Sequence, residues 1–299
     1  MLLDASSSLT LRSPLYKKAL ILYVWQAYLN DLGKGDVTTD TFVPKKRQIV
    51  EAEIIAKEGG LLAGIAEAEW FLKKLGVRIT SHKKDSMKVL KGDVIMKLKG
   101  RADTLLSAER TLLNLLQRMS GVATATNRLA LQLPRSIKLL ATRKTLWGDL
   151  DKRAVVVGGG GTHRLNLADA ILIKENHIAL TKNLEKSLKQ VFKKAKKVRF
   201  IEIELENLKE VLELVAICKK IKSSEKLAVM LDNFKASDVR QAVLILREID
   251  VLVEASGGID QKNIKKYAIK GVSAISSGAI TNKAVALDFS LNIFPSLKS

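Results

Sequence analysis

Between Ile137 and His177 the chain places Arg143-Lys144, His163-Arg164 and Lys174 at the ends of short apolar runs, with Asn176-His177 close behind. The runs are Ile137–Ala141, Ala154–Val157 (followed by the glycines Gly158–Gly161) and Ala170–Ile173. A charge held beside a core is costly unless something of opposite sign meets it. Repeated basic groups at the ends of buried segments therefore point to a small polyanion as ligand.

Further along, Glu204, Asp232-Asn233, Ser256-Gly257-Gly258 and Ser276-Ser277-Gly278 follow comparable runs. In β/α barrels the ligand meets the carboxyl ends of the strands, so groups there are read first for chemistry. The set divides by charge. The basic groups come first along the chain, and two carboxylates with glycine–serine turns come later, so one half suits an anionic substrate and the other a metal and a phosphate. Glu204 and Asp232 read equally well as capping carboxylates or as oxygen donors to Mg²⁺ or ribose hydroxyls. The Ser-Gly turns resemble nests of backbone N–H groups that accept phosphate. Gly158–Gly161 matches neither the Walker nor the dinucleotide fingerprint and reads as a turn. His163 alone reads most simply as a packed histidine. His82, His163, His177 and Cys218 lack zinc-ligand spacing, and no Ser-His-Asp or Cys-His pattern is present.

The elements that must position these groups follow from periodicity. Residues 1–40 read as a polar lead-in, a helix over about Leu15 to Leu29, and a loop from Asp31 to Asp40. Gln48–Ala56 alternates as a strand, Gly59-Gly60 turns it, and Leu61–Ala63 is expected to pair back. Ala66–Leu75 has helical spacing closed by Gly76, and Val77–Thr80 and Val94–Leu98 are strands. This is the pattern of a small α+β domain. A long helix then opens near Asp103, with a broad apolar stripe from Leu105 to Met119. Arg110 on its polar side is either an exposed charge or an arginine suited to binding carboxylates across an interface.

Beyond Arg135 strands and helices alternate. Strands are expected at Ile137–Ala141, Ala170–Ile173, Arg199–Leu205, Leu227–Leu231, Val251–Glu254 and Ser273–Ile275. Helices fall at Leu184–Ala195, Leu208–Ile221 and Ala236–Arg247. Repeated β-α units imply parallel strands, here a barrel or partial barrel.

The balance of 51 Lys+Arg against 31 Asp+Glu gives a net charge of +20. Nucleic-acid binding is the tempting inference. The lysines, however, come singly or in pairs on helical stretches, as at Lys189, Lys193-Lys194, Lys196-Lys197, Lys219-Lys220 and Lys222, which reads as solvated helix faces. Aromatic platforms are few and no RNA-binding motif is present. No apolar run reaches the length of a membrane span, and the single cysteine, Cys218, fits a reducing compartment. A soluble, cytoplasmic protein is expected.

Taken in order, the motifs resemble the quinolinate phosphoribosyltransferase family. They are Gly35-Asp-Val-Thr-Thr39, Ala108-Glu-Arg-Thr-Leu-Leu-Asn114, Ser120-Gly-Val-Ala-Thr124, Thr142-Arg-Lys-Thr145 and Gly158-Gly-Gly160 with His163-Arg164. Leu172-Ile-Lys-Glu-Asn-His177, Glu202-Ile-Glu204, Leu231-Asp-Asn-Phe234, Glu254-Ala-Ser-Gly-Gly258 and Ser277-Gly-Ala-Ile-Thr281 complete the series. Each is short; their common order is specific. The resemblance implies an N-terminal α/β sandwich domain over residues 1–118, completed by a tail at about 282–299, and an incomplete parallel α/β barrel of about six strands over 119–281. It implies condensation of quinolinate with 5-phosphoribosyl-1-pyrophosphate (PRPP) to nicotinate mononucleotide, CO₂ and pyrophosphate, with Mg²⁺, in a homodimer or hexamer.

The resemblance also assigns residues. Arg143, Lys144, His163, Arg164 and Lys174 would surround the quinolinate carboxylates, with Arg110 entering from a neighbouring subunit. Glu204 and Asp232 would face the ribose and the Mg²⁺-pyrophosphate, and the turns at Ser256, Gly257 and Gly278 would cradle phosphate. Lys144, Glu204 and Asp232 would be the catalytic groups. Two departures mark this chain. The family usually continues from Arg-Lys-Thr into Thr-Pro-Gly-Leu-Arg, whereas here a shorter Leu146-Trp-Gly-Asp149 follows, and Asn282 stands where histidine is frequent. A relative acting on another aromatic acid is the neighbouring alternative; retention of Lys174-Glu-Asn-His177 and every basic pair favours quinolinate.

Overall fold

Twelve strands are assigned in a computed structural model that describes residues 2–194, 198–221 and 226–295. In chain order they are β1 Ile49–Ala56, β2 Gly60–Leu61, β3 Arg78–His82, β4 Lys88–Val89, β5 Val94–Arg101 and β6 Lys138–Leu140. They continue with β7 Ile171–Ile173, β8 Ile201–Leu205, β9 Leu227–Asp232, β10 Leu252–Ser256, β11 Ala274–Ser276 and β12 Phe289–Pro295. Ala195, Lys196, Lys197, Lys222 and residues 296–299, named above, lie outside the described residues. The chain separates into two compact units.

One unit comprises Ser7–Asn127, Leu146–Gly159 and Ala284–Ser299. Its antiparallel sheet runs β12-β1-β5-β3. Along β1 Val50, Ala52, Ile54 and Ala56 are buried, while Glu51 and Glu53 turn outward to Lys99 (3.2 Å) and Lys97 (2.8 Å) of β5. Against expectation, β2 pairs with β4 rather than back onto β1. The Leu61 N–H is taken instead by Thr124 Oγ1 at 2.8 Å, from the helix Ala102–Ala130. The loop expected over Asp31–Asp40 contains a helix, Val37–Phe42, because Asp36 accepts from the Thr39 N–H at 3.0 Å and so caps it. The first helix is Pro14–Leu20 and Gln26–Leu32 joined by a π-helical turn, Ile21–Trp25.

The other unit comprises Met1–Ser6, Arg128–Thr145 and Gly160–Lys283. Its six parallel strands run β6-β11-β10-β9-β8-β7, so β6 and β7 are the edges and the barrel is incomplete. Helices Leu184–Lys194, Leu208–Ile221 and Ala236–Leu246 connect them. Alternation sends one set of side chains inward. At the floor Leu140, Ala170, Phe200, Ala228 and Ala274 pack with Leu3, and Leu2 and Leu252 press on the cluster. The opening residues, expected as a polar lead-in, thus form part of a core. Ala5 N–H also donates to Thr162 Oγ1 at 2.7 Å, and Thr162 N–H to Asp4 Oδ1 at 3.1 Å. Among the described residues no helix is long and apolar enough to cross a membrane.

Candidate active site

Above that apolar floor most inward positions are polar. On β8 they are Glu202 and then Glu204; on β9 Met230 and Asp232; on β10 Glu254 and Ser256; on β11 Ser276. Later positions are nearer the carboxyl ends, where two adjoining cavities open. The first, of about 190 Å³, is lined by Arg143, Lys144, His163, Arg164, Lys174, Glu204, Asp232 and Ser256, with Leu172 and Met230 as apolar wall. The second, of about 230 Å³, is lined by Asn233, Gly257, Gly258, Ser277, Gly278, Asn282 and Lys283. Thr142, Lys144, Asp232, Ser256 and Ser276 belong to both.

Local structure explains these positions. Arg143 and Lys144 follow β6 and are exposed; Thr142 Oγ1 accepts from the Lys144 N–H at 3.0 Å, and Thr281 Oγ1 donates to the Lys144 carbonyl at 2.8 Å. Lys174 precedes a short helix, Glu175–Ala179, and its Nζ lies 2.6 Å from Glu204 Oε2. Burial raises the Glu204 carboxyl, and Lys174 opposes that shift. Burial, and then repulsion from Arg143, lowers the Arg164 guanidinium from its ordinary value. At the turn after β10, Gly257 has φ +92°, and a Cβ there would lie 2.4 Å from the Asn233 backbone N. Only glycine permits the Asp232-Asn233 and Ser256-Gly257 turns to approach so closely.

Glu202 and Glu254 were not singled out for chemistry by sequence reasoning. Both are fully buried, and the His163 Nε2 lies 2.9 Å from Glu202 Oε2 and 3.4 Å from Glu254 Oε2. The contacts are close but poorly aligned, and both carboxylates remain without a hydrogen-bond partner. The His163 Nδ1 accepts from the Arg164 N–H at 2.7 Å, so the ring carries its proton on Nε2. Burial opposes a charged imidazole, yet the carboxylates of Glu254 and Glu202 together push His163 up to about 10. Burial and the facing Glu254 push Glu202 up to about 7. With Nδ1 engaged, an additional proton drawn to the trio fits a carboxylate better than the ring. Their facing polar atoms all lie within 4.8 Å of one another. A signal was available: a glutamate two residues before the polar end of an otherwise apolar strand needs a buried partner.

Of the groups expected at the site, Arg143, Lys144, His163, Arg164, Lys174, Glu204, Asp232 and Ser256 meet in the first cavity, and Gly257 and Gly278 line the second. Arg110 is exposed on the helix Ala102–Ala130 and lines neither cavity.

A cationic cavity joined to a glycine–serine cavity at the carboxyl ends of a partial barrel suits transfer between an anionic acceptor and a phosphorylated donor. Residues 36–120 match the N-terminal domain of quinolinate phosphoribosyl transferase, and residues 122–292 match its C-terminal domain. The chain belongs to this family. It is 37% identical over 268 residues to a probable carboxylating nicotinate-nucleotide pyrophosphorylase of Archaeoglobus fulgidus, covering 87% of this chain and 98% of that protein. It is 36% identical over 307 residues to a decarboxylating quinolinate phosphoribosyltransferase of Nicotiana glauca, covering 97% and 87%. The solved nicotinate-nucleotide pyrophosphorylase of Francisella tularensis superposes with a TM-score of 0.81 at 36% identity, covering 93% of this chain and 96% of that one.

Proposed function

We propose that the protein joins quinolinate to PRPP, giving nicotinate mononucleotide, CO₂ and pyrophosphate for NAD biosynthesis. The carrying observation is the pair of adjoining cavities with Lys144 and Asp232 on their common wall. The first takes the pyridine dicarboxylate against Arg143, Lys144, Arg164 and Lys174, and Leu172 and Met230 face its ring. The second takes the phosphoribosyl group, with backbone amides at Ser256, Gly257 and Gly278 on its phosphate.

Departure of pyrophosphate leaves positive charge on the ribose C1, which Glu204 and Asp232 stabilise from the cavity wall. Lys144 meets negative charge developing on the leaving group. The pyridine nitrogen forms the new bond to C1 and becomes cationic. The ring cation stabilises the electron pair left on C2 when the adjacent carboxylate departs as CO₂, and a proton taken up from water then forms the C2–H bond of the product. Guanidinium groups orient the two carboxylates bidentately, so the enzyme acts by positioning and electrostatics without a covalent intermediate. Glu204 and Asp232 offer hard carboxylate oxygens that would hold Mg²⁺ in this wall, and the ion would supply charge neutralisation to pyrophosphate.

A homodimer is part of the reading. Leu15, Leu22 and Leu29 recur at seven-residue spacing and are exposed, as are Val37 and Phe42. Exposed apolar side chains of this kind suit burial against a second copy. Arg110, exposed on another helix of the same unit, reaches the partner's site. The cytoplasm fits the substrates and the lone buried Cys218.

The test is an assay of the purified protein with quinolinate, PRPP and Mg²⁺, following nicotinate mononucleotide and CO₂ together, with nicotinic acid in parallel. Turnover of quinolinate alone, lost in Lys144→Ala, supports the reading. PRPP binding without quinolinate turnover would indicate another aromatic acid; absence of PRPP binding would overturn the phosphoribosyl transfer itself. Mixing inactive Arg110→Ala with inactive Lys144→Ala tests the shared site, since mixed dimers should regain part of the activity.

A further inference from the structure

His163 is buried with φ +54°, a left-handed backbone conformation that is strained for a residue with a Cβ. It persists only where its surroundings over-determine it. Here they do. The His163 carbonyl accepts from Arg199 Nη2 at 3.1 Å and from Thr162 Oγ1 at 2.8 Å. The ring meets the edge of Phe200 at a centroid distance of 5.4 Å. Its Nε2 faces Glu202 and Glu254, and its Nδ1 receives the Arg164 N–H.

Nε2 thus faces two carboxylates in unaligned contact and Nδ1 accepts from the next residue's amide, so both ring nitrogens are turned to groups of the chain. The consequence is the placement of Arg164. The left-handed turn and the amide-to-ring contact fix the Arg164 backbone, and its side chain lines the first cavity. Arg164 sits against the like charge of Arg143, while Glu202 attracts it. Removing the inner carboxylates frees the ring and relaxes that tether.

We infer that Glu202 and Glu254 are positioning residues for the pyridine dicarboxylate. They clamp the His163 ring on the inner wall of the first cavity, which Glu254 also lines, so that Arg164 is presented to a substrate carboxylate. The inference rests on the quinolinate reading above for its kinetic test, though not for its structural one. Two buried polar chains that make no aligned hydrogen bond are costly as packing alone, which is why they are read as serving function.

The near-isosteric variants Glu202→Gln and Glu254→Gln test this. KM for quinolinate should rise about tenfold, with KM for PRPP and kcat changed by less than about threefold. In an Arg164→Ala background the additional KM penalty of either glutamine should vanish, because the carboxylates act through that arginine. Equal rises in both KM values, or penalties that multiply in the Arg164→Ala background, would overturn the inference. Should the glutamine variants not fold, His163→Asn serves instead, since asparagine tolerates the left-handed backbone while losing the ring; the same selective loss is expected, and a uniform one counts against. Crystal structures of the folded variants give a readout independent of substrate. Arg164 should leave the cavity wall, and an unmoved Arg164 refutes the inference even if quinolinate proves to be the wrong acid. Wild-type inactivity with quinolinate, by contrast, would refute only the substrate.

Discussion

Two buried ionic clusters, one in each unit, solve the same physical problem in opposite ways. In the sandwich unit Asp151 is fully buried and accepts from four donors. Arg118 reaches it through Nε at 2.9 Å and Nη2 at 2.7 Å, and the amides of Leu146 and Trp147 donate at 2.8 and 3.2 Å. In the barrel unit Glu202 and Glu254 are equally buried, but share one imidazole and retain unpartnered oxygens. A satisfied carboxylate holds a loop in place. An under-satisfied pair beside a cationic cavity is maintained at a cost, and such costs concentrate where a ligand binds.

The largest effect expected from breaking this contrast is on activity. Lys144→Ala, at an exposed position, should lower kcat by at least about a hundredfold with an unchanged thermal transition, as loss of transition-state electrostatics does. A variant that keeps its activity would remove Lys144 from the chemistry. On stability the satisfied cluster should dominate. Asp151→Ala strands a buried guanidinium and two amides and should cost about 3–5 kcal/mol in denaturant unfolding; a loss below about 1 kcal/mol would mean that the loop repacks freely.

A sharper comparison comes from pH. Glu202 titrates near 7 when folded against an ordinary 4.5, so between those values the native state holds a proton that the unfolded chain has lost. Unfolding free energy should therefore fall as pH rises through that window, and Glu202→Gln should flatten the slope. An equal slope in the variant would place the proton elsewhere. The smallest effect belongs to the surface. Lys189→Ala removes an exposed i,i+4 pair with Glu185 (3.0 Å) and should change stability by less than about 0.5 kcal/mol.

The sequence carried the alternation of strands and helices from Ile137 onward and the cations at strand ends, because both follow from local periodicity and from the rarity of charge beside apolar runs. It did not carry the pairing of β2 with β4, which depends on Thr124 competing for the Leu61 amide across 63 residues. The helix Val37–Phe42 was concealed by glycines and polar residues whose turn signals outweighed the Asp36 cap. Glu202 and Glu254 lay within recognised motifs, but their meaning depends on His163 arriving from the loop after the Gly161 bridge, and no spacing along the chain encodes that meeting. The short Leu146–Asp149 loop is now placed: Trp147 stacks on Tyr23 at 6.4 Å with the rings inclined by 10°, and Asp151 fastens its amides.

Each unit is completed by chain distant from its bulk. Leu3 and Ala5 meet partners about Leu140 and Thr162 in the barrel, and β12 pairs with β1 across more than two hundred residues. During synthesis the barrel's first residues must therefore wait for most of the chain, and the sandwich sheet stays open until its closing strand leaves the ribosome. Such long-range closure slows folding and prolongs exposure of apolar edges. The protein's yield in a cell should then depend more on elongation rate and chaperone supply than on the stability of the finished fold.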